Sequence, residues 1–318
     1  MQKDCLYAIG EALIDFIPDR RDCTFGDVEA FSPKVGGAPA NVCGAFAKLG
    51  GKAKMLTQLG DDPFGHKILV YLQKWGIDTS CVRLTSEANT ALAFVSIDAD
   101  GDRTFSFYRK PSADMLYDAD SVSGVSFDDA YALHFCSVSL GDFPMKQAHV
   151  RAIEAQRAAG GIVSFDPNLR FPLWDDCEAL RRTVREFLPT ADVVKISDEE
   201  LEFITGTDSI EEALPGLLRG STKLVLYTCG KDGAAAFTAQ AAARSPGHRV
   251  AAVDTTGAGD GFIGAFLWKL HSLGVERDGL ALLSVEALDD CVRFADAFCA
   301  KSVQKAGAID SYPTIGEM

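Results

Sequence analysis

The segment DTTGAGDGF, positions 254–262, combines three glycines with two aspartates directly before an apolar run. Gly257 and Gly259 bracket Ala258 at the expected start of a helix, where backbone N–H groups can converge on an anion. Asp260 falls in the first helical turn. A carboxylate beside an anion site is electrostatically unfavourable, so its presence there indicates a chemical role. In phosphoryl transfer it accepts the proton of the attacking hydroxyl. The alternative is that Asp260 only complements the helix dipole and the glycines only form a turn.

Two other nucleotide-binding patterns are absent from the sequence. It contains no G-x-x-x-x-G-K-[ST] loop of the P-loop enzymes. It also lacks a G-x-G-x-x-G turn that follows a strand and precedes a ribose-binding acid. The sequence therefore disfavours a P-loop enzyme and a dinucleotide-dependent dehydrogenase.

A second glycine-containing stretch lies near the N-terminus, in KVGGAPANVCGAFAKLGG at positions 34–51. Gly36 and Gly37 allow the backbone to approach a ligand closely, and Asn41 follows at the start of a predicted helix of small residues. The Asn41 amide can donate and accept, which suits a sugar hydroxyl, although it could instead cap the helix. Asp15, predicted to end a strand, could accept hydrogen bonds from two hydroxyls of a polyol.

The elements that must position these residues follow an alternating pattern in the second half of the chain. MKQAHVRAIEAQRAAG (145–160) predicts a helix that ends at glycine, and DEELEFITG predicts another closed by Gly206. GIVSFDPN, DVVKIS and KLVLYT predict strands. The alternation predicts an α/β fold in which helices cover both faces of a mostly parallel sheet. Ligands of such folds bind at the carboxyl ends of strands, where Asp166, Ser197 and Thr228 lie.

The stretch TALAFVSIDADGDRTFSFYRK, positions 90–110, has a different character. It places two β-rich runs around the turn DADGD, which predicts a hairpin. In an α/β protein this hairpin would form either an ordinary sheet edge or part of a small β subdomain that closes over a pocket.

Composition limits the classes of partner and the compartment. A net charge of −14 over 318 residues argues against a nucleic-acid-binding or membrane-binding surface, although a local field can still attract an anionic substrate. The nine cysteines form no C-x-x-C pair, and with five scattered histidines they predict free thiols and no structural zinc. The start of the sequence lacks signal-peptide features and no apolar run reaches transmembrane length, so we expect a cytoplasmic protein.

The strings GGAPAN and DTTGAGDGF together resemble the two signatures of the ribokinase-like (PfkB) carbohydrate kinases. The resemblance covers nearly the whole chain in the family's order, through GEALIDF, GDDPFG and YTCGKDGAAAF. Within the family, TFSFYRKPSADMLY and DPNLR are similar to fructokinases. The resemblance implies a single kinase domain over 1–318 with a three-layer α/β/α core and a small β-sheet lid from about 11–33 and 88–110.

The activity implied by this resemblance is transfer of the γ-phosphate of ATP to a sugar hydroxyl, with Mg²⁺ as the metal ion. Asp260 would be the base, and Gly257, Ala258 and Gly259 would supply the anion-binding amides. Arg170, within DPNLR, would neutralise phosphate charge, although a surface ion pair is its alternative role. The residues expected to hold the sugar are Asp15, Gly36, Gly37, Asn41, Phe105, Phe107, Arg109 and Asn168.

Three of the sugar-side residues come from the expected lid. Phe105 and Phe107 would cover the sugar, or would instead pack within the lid or against a second copy of it. Arg109 would reach a hydroxyl or a phosphate. An exposed edge of the lid sheet favours a homodimer through the lid.

The nucleotide and metal side departs from the family at two positions. The family often carries N-x-x-E near the metal, whereas this chain has SDEE, with Ser197 in place of asparagine and Glu200 retained. Glu200 could orient Mg²⁺ through water, and Ser197 with Glu200 also forms a capping-box pattern. The nucleotide-binding residues implied are Lys195, Thr228, Gly230, Gly233 and Asp296, the last replacing a common asparagine. A monovalent cation, K⁺, would lie near Asp254 and the carbonyls of Thr256, Ser302, Lys305 and Gly307, although Asp254 could equally brace its loop.

Two other functions stay open at this point. One is a related kinase for ribose, a nucleoside or 2-keto-3-deoxygluconate. The other is a catalytically silent regulator that binds sugar on the same fold. The expected partners are a small-molecule sugar and ATP, with no nucleic acid and no membrane.

Overall fold

The computed structural model describes residues 3–20, 22–97 and 103–318. Their strands are β1 (Cys5–Ile9), β2 (Leu13–Pro18), β3 (Phe31–Gly36), β4 (Lys52–Gly60), β5 (Ile77–Asp78), β6 (Val82–Thr85), β7 (Leu92–Ile97), β8 (Arg103–Tyr108), β9 (Ala130–Cys136), β10 (Ile162–Asp166), β11 (Val193–Ser197), β12 (Leu224–Thr228), β13 (Ala234–Phe237) and β14 (Ala242–Ser245). Their α-helices are α1 (Ala38–Lys48), α2 (Pro63–Lys74), α3 (Ala119–Ser123), α4 (Pro144–Ala158), α5 (Cys177–Phe187), α6 (Asp198–Thr205), α7 (Ile210–Leu217), α8 (Ala258–Ser272) and α9 (Val285–Ser302).

A ten-stranded sheet forms the centre of the molecule, in the order β14-β13-β12-β11-β10-β9-β1-β4-β5, with β6 also paired to β4. The strands from β12 through β9 to β1, β4, β5 and β6 pair in parallel. Only β13 and β14, at one edge, pair antiparallel. The mostly parallel sheet predicted from the alternating pattern is confirmed.

The central sheet is covered on both faces because its strands are apolar throughout. In β1, Leu6 and Ala8 belong to the core shared with α1, α8 and α9. Tyr7 and Ile9, which alternate with them, belong to the opposite core shared with α4, α5 and α6. Successive strand side chains point to opposite faces, so two buried faces produce an apolar run without polar alternation. The three-layer α/β/α prediction is confirmed.

A second, four-stranded sheet has the order β3-β2-β7-β8. Its two central strands, β2 and β7, pair in parallel, and the outer strands pair antiparallel to them. The hairpin predicted for positions 90–110 is confirmed for β7 and β8, where Leu92 lies opposite Tyr108. Its predicted turn, DADGD at positions 98–102, lies outside the described residues.

The prediction that Asp15 ends a strand is wrong. The first strand ends at Ile9, and Gly10 follows with a φ of +143°. The chain there leaves the central sheet, and Asp15 lies in the middle of β2 of the second sheet, opposite Lys34. The continuous apolar pattern concealed this break because only the glycine, whose φ few other residues adopt, marks it.

Two helices of the core approach each other closely, and this approach positions the site. A Cβ added at Gly264 of α8 would lie 2.7 Å from the Cβ of Ala45 and 2.9 Å from the carbonyl oxygen of Val42, both in α1. Small residues at these positions let the two helix backbones nearly touch. The N-termini of α1 and α8 are therefore held side by side at the carboxyl edge of the sheet.

The predicted helix over 145–160 corresponds to α4, and the helix closed by Gly206 corresponds to α6, where Gly206 has a φ of +88°. Among the described residues, no helix combines the length and apolar character needed to cross a bilayer.

Candidate active site

The glycine turn before α8 has the geometry of an anion site. Gly257 is the N-cap of α8 with a φ of +72°, and its carbonyl oxygen accepts a hydrogen bond of 2.7 Å from the hydroxyl of Tyr312. A Cβ at Gly257 would lie 2.7 Å from that hydroxyl oxygen and 2.8 Å from the Cβ of Ala308. Both the positive φ and this crowding require glycine here.

The amides of the turn differ in one respect from the expectation. The N–H of Ala258, expected in the anion hole, donates to the carbonyl of Thr255 at 3.1 Å. Among the described residues, no protein acceptor is found for the N–H groups of Gly257, Gly259 and Asp260. These three amides, at the positive end of the α8 dipole, are free to bind an anion.

The Asp260 carboxylate lies beside these amides and is 9% exposed. The side-chain amide of Asn41 donates to its Oδ2 at 2.9 Å, and that of Asn168 approaches its Oδ1 at 3.5 Å. Burial raises the pKa of Asp260 to about 6, and the nearby carboxylate of Asp166 adds to the rise, while Arg170 opposes it. A carboxylate with such a pKa is ionised at neutral pH and is a stronger base than an exposed aspartate.

Asn41 is fixed in position by α1, and its side-chain oxygen is a hydrogen-bond acceptor without a donor in the described part of the chain. It lies in the first turn of α1, is buried, and its Oδ1 has no hydrogen-bond partner in the described structure. A Cβ at Gly36 would lie 2.1 Å from the Oδ2 of Asp15, so the absence of a side chain brings this carboxylate against the backbone before α1. A ligand hydroxyl that donates to Asn41 would satisfy the unpartnered oxygen.

A cavity separates these groups from the second sheet. The second sheet contributes Leu13, Asp15, Ile17, Val95, Phe105 and Phe107 to its wall. The opposite wall contains Glu11, Gly37, Asn41, Asn168, Arg170, Gly257 and Asp260. Because these side chains alternate along β2 and β8, the same face of β2, β7 and β8 lines the cavity. We call this cavity, between the second sheet and the N-termini of α1 and α8, the sugar-side cavity.

Arg170 extends into this cavity. Its Nη1 donates to the carbonyl of Leu169 at 2.9 Å, and its guanidinium lies 5.9 Å from the ring centroid of Phe105. Within the described part of the chain, no carboxylate lies within ion-pair distance of Arg170, so the surface ion pair considered above is not formed. Asn168, two residues earlier, has a φ of +46°, which turns the chain so that both side chains face the cavity.

Arg109 does not reach a ligand, contrary to the sequence expectation. It is 5% exposed and is absent from the cavity wall. Its Nε and Nη2 donate to the carboxylate of Asp114, and Nη1 donates to the carbonyl of Val138 at 3.0 Å. Nη2 also contacts the hydroxyl of Ser139 at 3.1 Å. Since its donors are engaged inside the protein, Arg109 has a structural role.

Lys195 also lies elsewhere than expected. Its ammonium pairs with the Oδ2 of Asp166 at 2.8 Å, both side chains being almost fully buried on neighbouring strands. It is absent from the wall of the nucleotide-side cavity described below, and a Cβ at Gly259 would lie 3.4 Å from its Nζ. Burial would lower the pKa of Lys195, but the carboxylates of Asp166, Glu200 and Asp260 together raise it. Lys195 is therefore a cation beneath the first turn of α8.

Glu200 occupies the capping-box position. It completes that box with Ser197, the N-cap of α6, and its Oε2 accepts from the Ser197 N–H at 3.1 Å. Its Oε1 accepts from the Leu169 N–H at 2.7 Å. Glu200 thus ties α6 to the loop that carries Asn168 and Arg170, and Ser197 serves as a helix cap.

Whether the site fits Mg²⁺ can be tested from its donors. No group of three or more His, Cys, Asp or Glu side chains among the described residues could hold a metal ion alone. The buried Oδ1 of Asp166 has no partner, and Glu200 lies nearby. Mg²⁺ keeps several waters and takes few protein carboxylates when phosphates bind it. The donors therefore fit an ion held by phosphates and water rather than by these carboxylates, because Asp166 and Glu200 line neither the sugar-side cavity nor the nucleotide-side cavity described below, and both oxygens of Glu200 already accept backbone hydrogen bonds.

A second cavity, which we call the nucleotide-side cavity, lies on the other side of the α8 N-terminus. Of the expected residues, it contains Thr228, Gly230, Gly233 and Asp296. Its remaining wall combines apolar side chains with charged or titratable ones. The apolar residues include Val250, Phe262 and Val303, and the others are Lys231, Asp232, His248 and Arg249. Thr255, Ala258 and Gly259 line this cavity, whereas Thr256, Gly257 and Asp260 line the sugar-side cavity. The glycine turn is the boundary between the two.

Sequence reasoning missed two polar partners of Asp296, of which His248 lines the nucleotide-side cavity. The hydroxyl of Ser245 donates to the Oδ2 of Asp296 at 2.5 Å, and the Nε2 of His248 lies 3.8 Å from the same oxygen. Ser245 ends β14, and His248 follows it after Pro246 and Gly247. These turn residues predict a loop, but nothing in the local sequence indicates its contact with Asp296.

The loops proposed to hold a monovalent cation are brought together. Asp254 accepts from the N–H of Thr256 and from the N–H of Gly307, both at 2.9 Å. The carbonyl of Ser302 accepts from the Lys305 N–H at 3.0 Å. Asp254 therefore braces the two loops. Cation binding at these carbonyls stays a prediction.

Comparison with known proteins agrees with this geometry. The model of the pfkB family carbohydrate kinases matches residues 3–315. The chain belongs to this family. It is therefore a carbohydrate kinase, a phosphotransferase with an alcohol group as acceptor.

Three similar proteins illustrate the relationship. Fructokinase-1 of Zea mays is 41% identical over 317 residues, covering 99% of this chain and 97% of the relative. A fructokinase structure from Xylella fastidiosa with bound ATP superposes with a TM-score of 0.91 at 35% identity, covering 99% of this chain and 97% of that one. A fructokinase double mutant from Vibrio cholerae O395, with fructose, ADP and a potassium ion, superposes with a TM-score of 0.86 at 33% identity, covering 98% and 96%.

Proposed function

We propose that this carbohydrate kinase is a fructokinase that uses ATP as the phosphoryl donor. The observation that carries the proposal is the position of the glycine turn and Asp260 at the boundary between two cavities. One cavity is lined by paired polar groups that suit a polyol, and the other combines apolar side chains with charged groups, which suits a nucleotide. Relatives named fructokinase, similar over nearly the full length, support fructose as the sugar.

The arrangement supports an in-line transfer. A sugar hydroxyl held between Asn41 and Asp260 attacks the γ-phosphorus of ATP, and the bond from that phosphorus to the oxygen of ADP breaks. The hydroxyl proton passes to the carboxylate of Asp260. The free amides of the turn and the guanidinium of Arg170 stabilise the negative charge on the moving phosphoryl group. Mg²⁺ that enters with ATP would supply further charge neutralisation on the phosphates.

The second sheet is proposed to act as the lid of this site. Its inner face supplies Phe105, Phe107 and Asp15 to the cavity wall, so closure would place apolar rings and one carboxylate against the sugar. Excluding water in this way protects the γ-phosphate from hydrolysis.

The outer face of the same sheet supports the proposal of a homodimer through the lid. It carries aromatic residues that contact one another, with Phe94 within 4.6 Å of Phe16 and 5.2 Å of both Phe31 and Tyr108, measured between ring centroids. Tyr108 is 62% exposed. Light scattering should give the mass of two chains, and Tyr108→Ser should shift it toward one; a monomeric mass for the unaltered protein would reject the dimer.

The decisive experiment measures ADP release with Mg-ATP for fructose, ribose, adenosine, 2-keto-3-deoxygluconate and fructose phosphates. The highest kcat/KM for fructose is expected. A higher value for another acceptor would keep the kinase mechanism and reject fructose as substrate. Binding of sugar without any turnover would reject the catalytic proposal in favour of a silent regulator.

A further inference from the structure

The second sheet connects to the rest of the molecule at four points, which we call the four crossings. The first is residues 10–12 between β1 and β2, and the second is Gly37 between β3 and α1. The third is residues 89–91 before β7, and the fourth is Arg109 directly after β8. Any motion of this sheet relative to the central sheet must occur at these points.

A buried polar network joins three of these crossings. Glu11, at the first, is 2% exposed, and its Oε2 accepts a hydrogen bond of 2.9 Å from the hydroxyl of Ser139. The oxygen of that hydroxyl accepts from Arg109, at the fourth crossing, over 3.1 Å. The carboxylate of Asp114 holds Arg109 from the other side, and Ser112 donates to its Oδ1 at 2.5 Å. Ser139 is fully buried and is the bridge between the two charged residues.

The second crossing is attached to the same network. The Oε1 of Glu11 accepts from the N–H of Ala38, the first residue of α1, at 3.3 Å. A Cβ at Gly37 would lie 2.5 Å from the Glu11 carbonyl oxygen, so these two crossings are in direct contact. Burial raises the pKa of Glu11, and its carboxyl group satisfies one of the N–H groups that have no partner within α1.

Among the described residues, the third crossing is linked to the network only through the backbone, where the carbonyl of Asn89 accepts from the N–H of Ala113 at 2.8 Å, and it has a side-chain anchor of its own. Asp62, the N-cap of α2, accepts hydrogen bonds from the N–H of Thr90 at 2.8 Å and from its hydroxyl at 3.0 Å. The network of Glu11, Ser139 and Arg109 therefore contacts three crossings through side chains, whereas the third is held by Asp62 and by the backbone next to Asp114.

The network also leads to the proposed base. Glu11 fixes the N-terminus of α1, and Asn41 in the first turn of that helix donates to Asp260. Glu11 lines the sugar-side cavity, whereas Ser139 and Arg109 do not. The same hydrogen bonds thus fix both the attachment of the second sheet to the rest of the molecule and the position of Asn41, the partner of Asp260.

We propose that Glu11, Ser139 and Arg109 are positioning residues that couple the seating of the second sheet to the alignment of Asn41 and Asp260. The catalytic part of this inference rests on the proposed function. The mechanical part does not, because the hydrogen bonds exist without substrate.

The chain offers a matched pair of serines to test this. Ser139→Ala removes the bridging hydroxyl and leaves both charged residues in place. Ser137 lies in the same short turn and is equally buried, but its hydroxyl has no hydrogen-bond partner among the described residues. Ser137→Ala therefore removes an equal volume at the same depth without cutting the network.

Two readouts apply to both variants. Amide hydrogen exchange should rise about tenfold in β2, β3 and β8 of Ser139→Ala, while exchange in β11 and β12 stays unchanged. With fructose, KM should rise about tenfold, and ATP hydrolysis without sugar should increase relative to sugar phosphorylation. Ser137→Ala should match the unaltered protein in both.

A second pair tests the charged end of the network. Arg109→Lys keeps the positive charge but loses the fork that reaches Asp114, Val138 and Ser139 at once, so it should reproduce the Ser139→Ala pattern. Lys110→Ala is its control, because the adjacent Lys110 pairs with Asp175 on the surface.

The outcomes separate this inference from the proposed function. Equal exchange in Ser139→Ala and Ser137→Ala would overturn the coupling whatever the enzyme phosphorylates. Raised exchange with unchanged KM and unchanged ATP hydrolysis would also overturn it, since the network would then be merely structural. Absence of turnover by the unaltered protein on every sugar would reject the proposed function, while the exchange comparison would still decide the seating of the sheet.

Discussion

The two cavities on either side of the glycine turn differ in how their polar groups are used. On the sugar side, the buried groups Asn41 and Asp260 and the half-buried Arg170 face the cavity, and the Oδ1 of Asn41 has no hydrogen-bond partner among the described residues. On the nucleotide side, the wall combines apolar side chains with exposed charged groups such as Lys231 and Arg249, and its buried carboxylate, Asp296, is already bonded to Ser245. Buried polar groups that lack a partner discriminate strongly between ligands, whereas apolar walls discriminate weakly. The comparison teaches that selectivity and catalysis should depend mainly on the sugar side.

The largest effect is expected at the boundary itself. Asp260→Asn removes the proton acceptor but keeps an oxygen that can accept from Asn41. We expect kcat to fall by about 100- to 10,000-fold while the dissociation constant for ATP stays within about threefold. Steady-state kinetics and calorimetric titration of ATP measure these quantities. Retention of more than a tenth of the activity would show that Asp260 is not the base.

The same substitution should stabilise the fold, which separates catalysis from folding. The pKa of Asp260 in the folded protein is about 6, above its ordinary value, so the ionised form is disfavoured by folding. Its favourable contribution is present at low pH and is lost as pH rises through 6. At pH 8, Asp260→Asn should therefore raise the free energy of unfolding by about 1 to 3 kcal/mol in urea titrations. A decrease would contradict the assigned pKa shift.

Arg170→Ala should have the next largest effect. Removing a guanidinium that faces the developing phosphoryl charge is expected to lower kcat about 100-fold, with Arg170→Lys in between. Arg293→Ala is the control, because Arg293 forms an exposed pair with Asp289 on α9. Equal kinetics for the two alanine variants would remove Arg170 from the mechanism.

Asn41→Ala should change the pH dependence. Since Asp260 must be ionised to accept a proton, kcat/KM should fall as pH drops through about 6. The Asn41 hydrogen bond lowers the pKa of Asp260, so its loss should move this fall to higher pH. Profiles from pH 5 to 9 with both proteins measure the shift. An unmoved profile would mean that Asn41 does not tune the base.

The smallest effect is expected on the nucleotide side. In Asp296→Asn the oxygen that accepts from Ser245 is retained, so KM for ATP should change by less than about tenfold and kcat should not change. A loss of kcat comparable to that of Arg170→Ala would erase the distinction between the two cavities.

The parts of the site that could be predicted from sequence are those fixed by local chemistry. The turn before α8 needs glycine at Gly257 because of its own φ, and Asp260 follows at a set spacing. The capping box of Ser197 and Glu200 is also local, and the structure forms it. Strand ends follow from pattern and parallel pairing, so the position of Asp166 at the sheet edge was predictable as well.

The parts that could not be predicted depend on partners far away in sequence or on a single backbone angle. Arg109 has the chemistry of a phosphate ligand, and only the folded structure shows that Asp114 and Val138 take up its donors. Lys195 lies on a strand whose pattern does not show that Asp166 will neutralise it. Asp15 was misplaced because one glycine, Gly10, ends a strand within an apolar run.

The hydrogen bond from Asn41 to Asp260 joins residues 219 positions apart. It forms only when α1 and α8 meet, so it appears after a large loss of chain entropy and cannot precede assembly of the intervening sheet. During refolding, enzymatic activity should therefore return later than the helical signal. The catalytic centre thus reports on completion of the fold: a partly assembled chain has no aligned base and does not consume ATP.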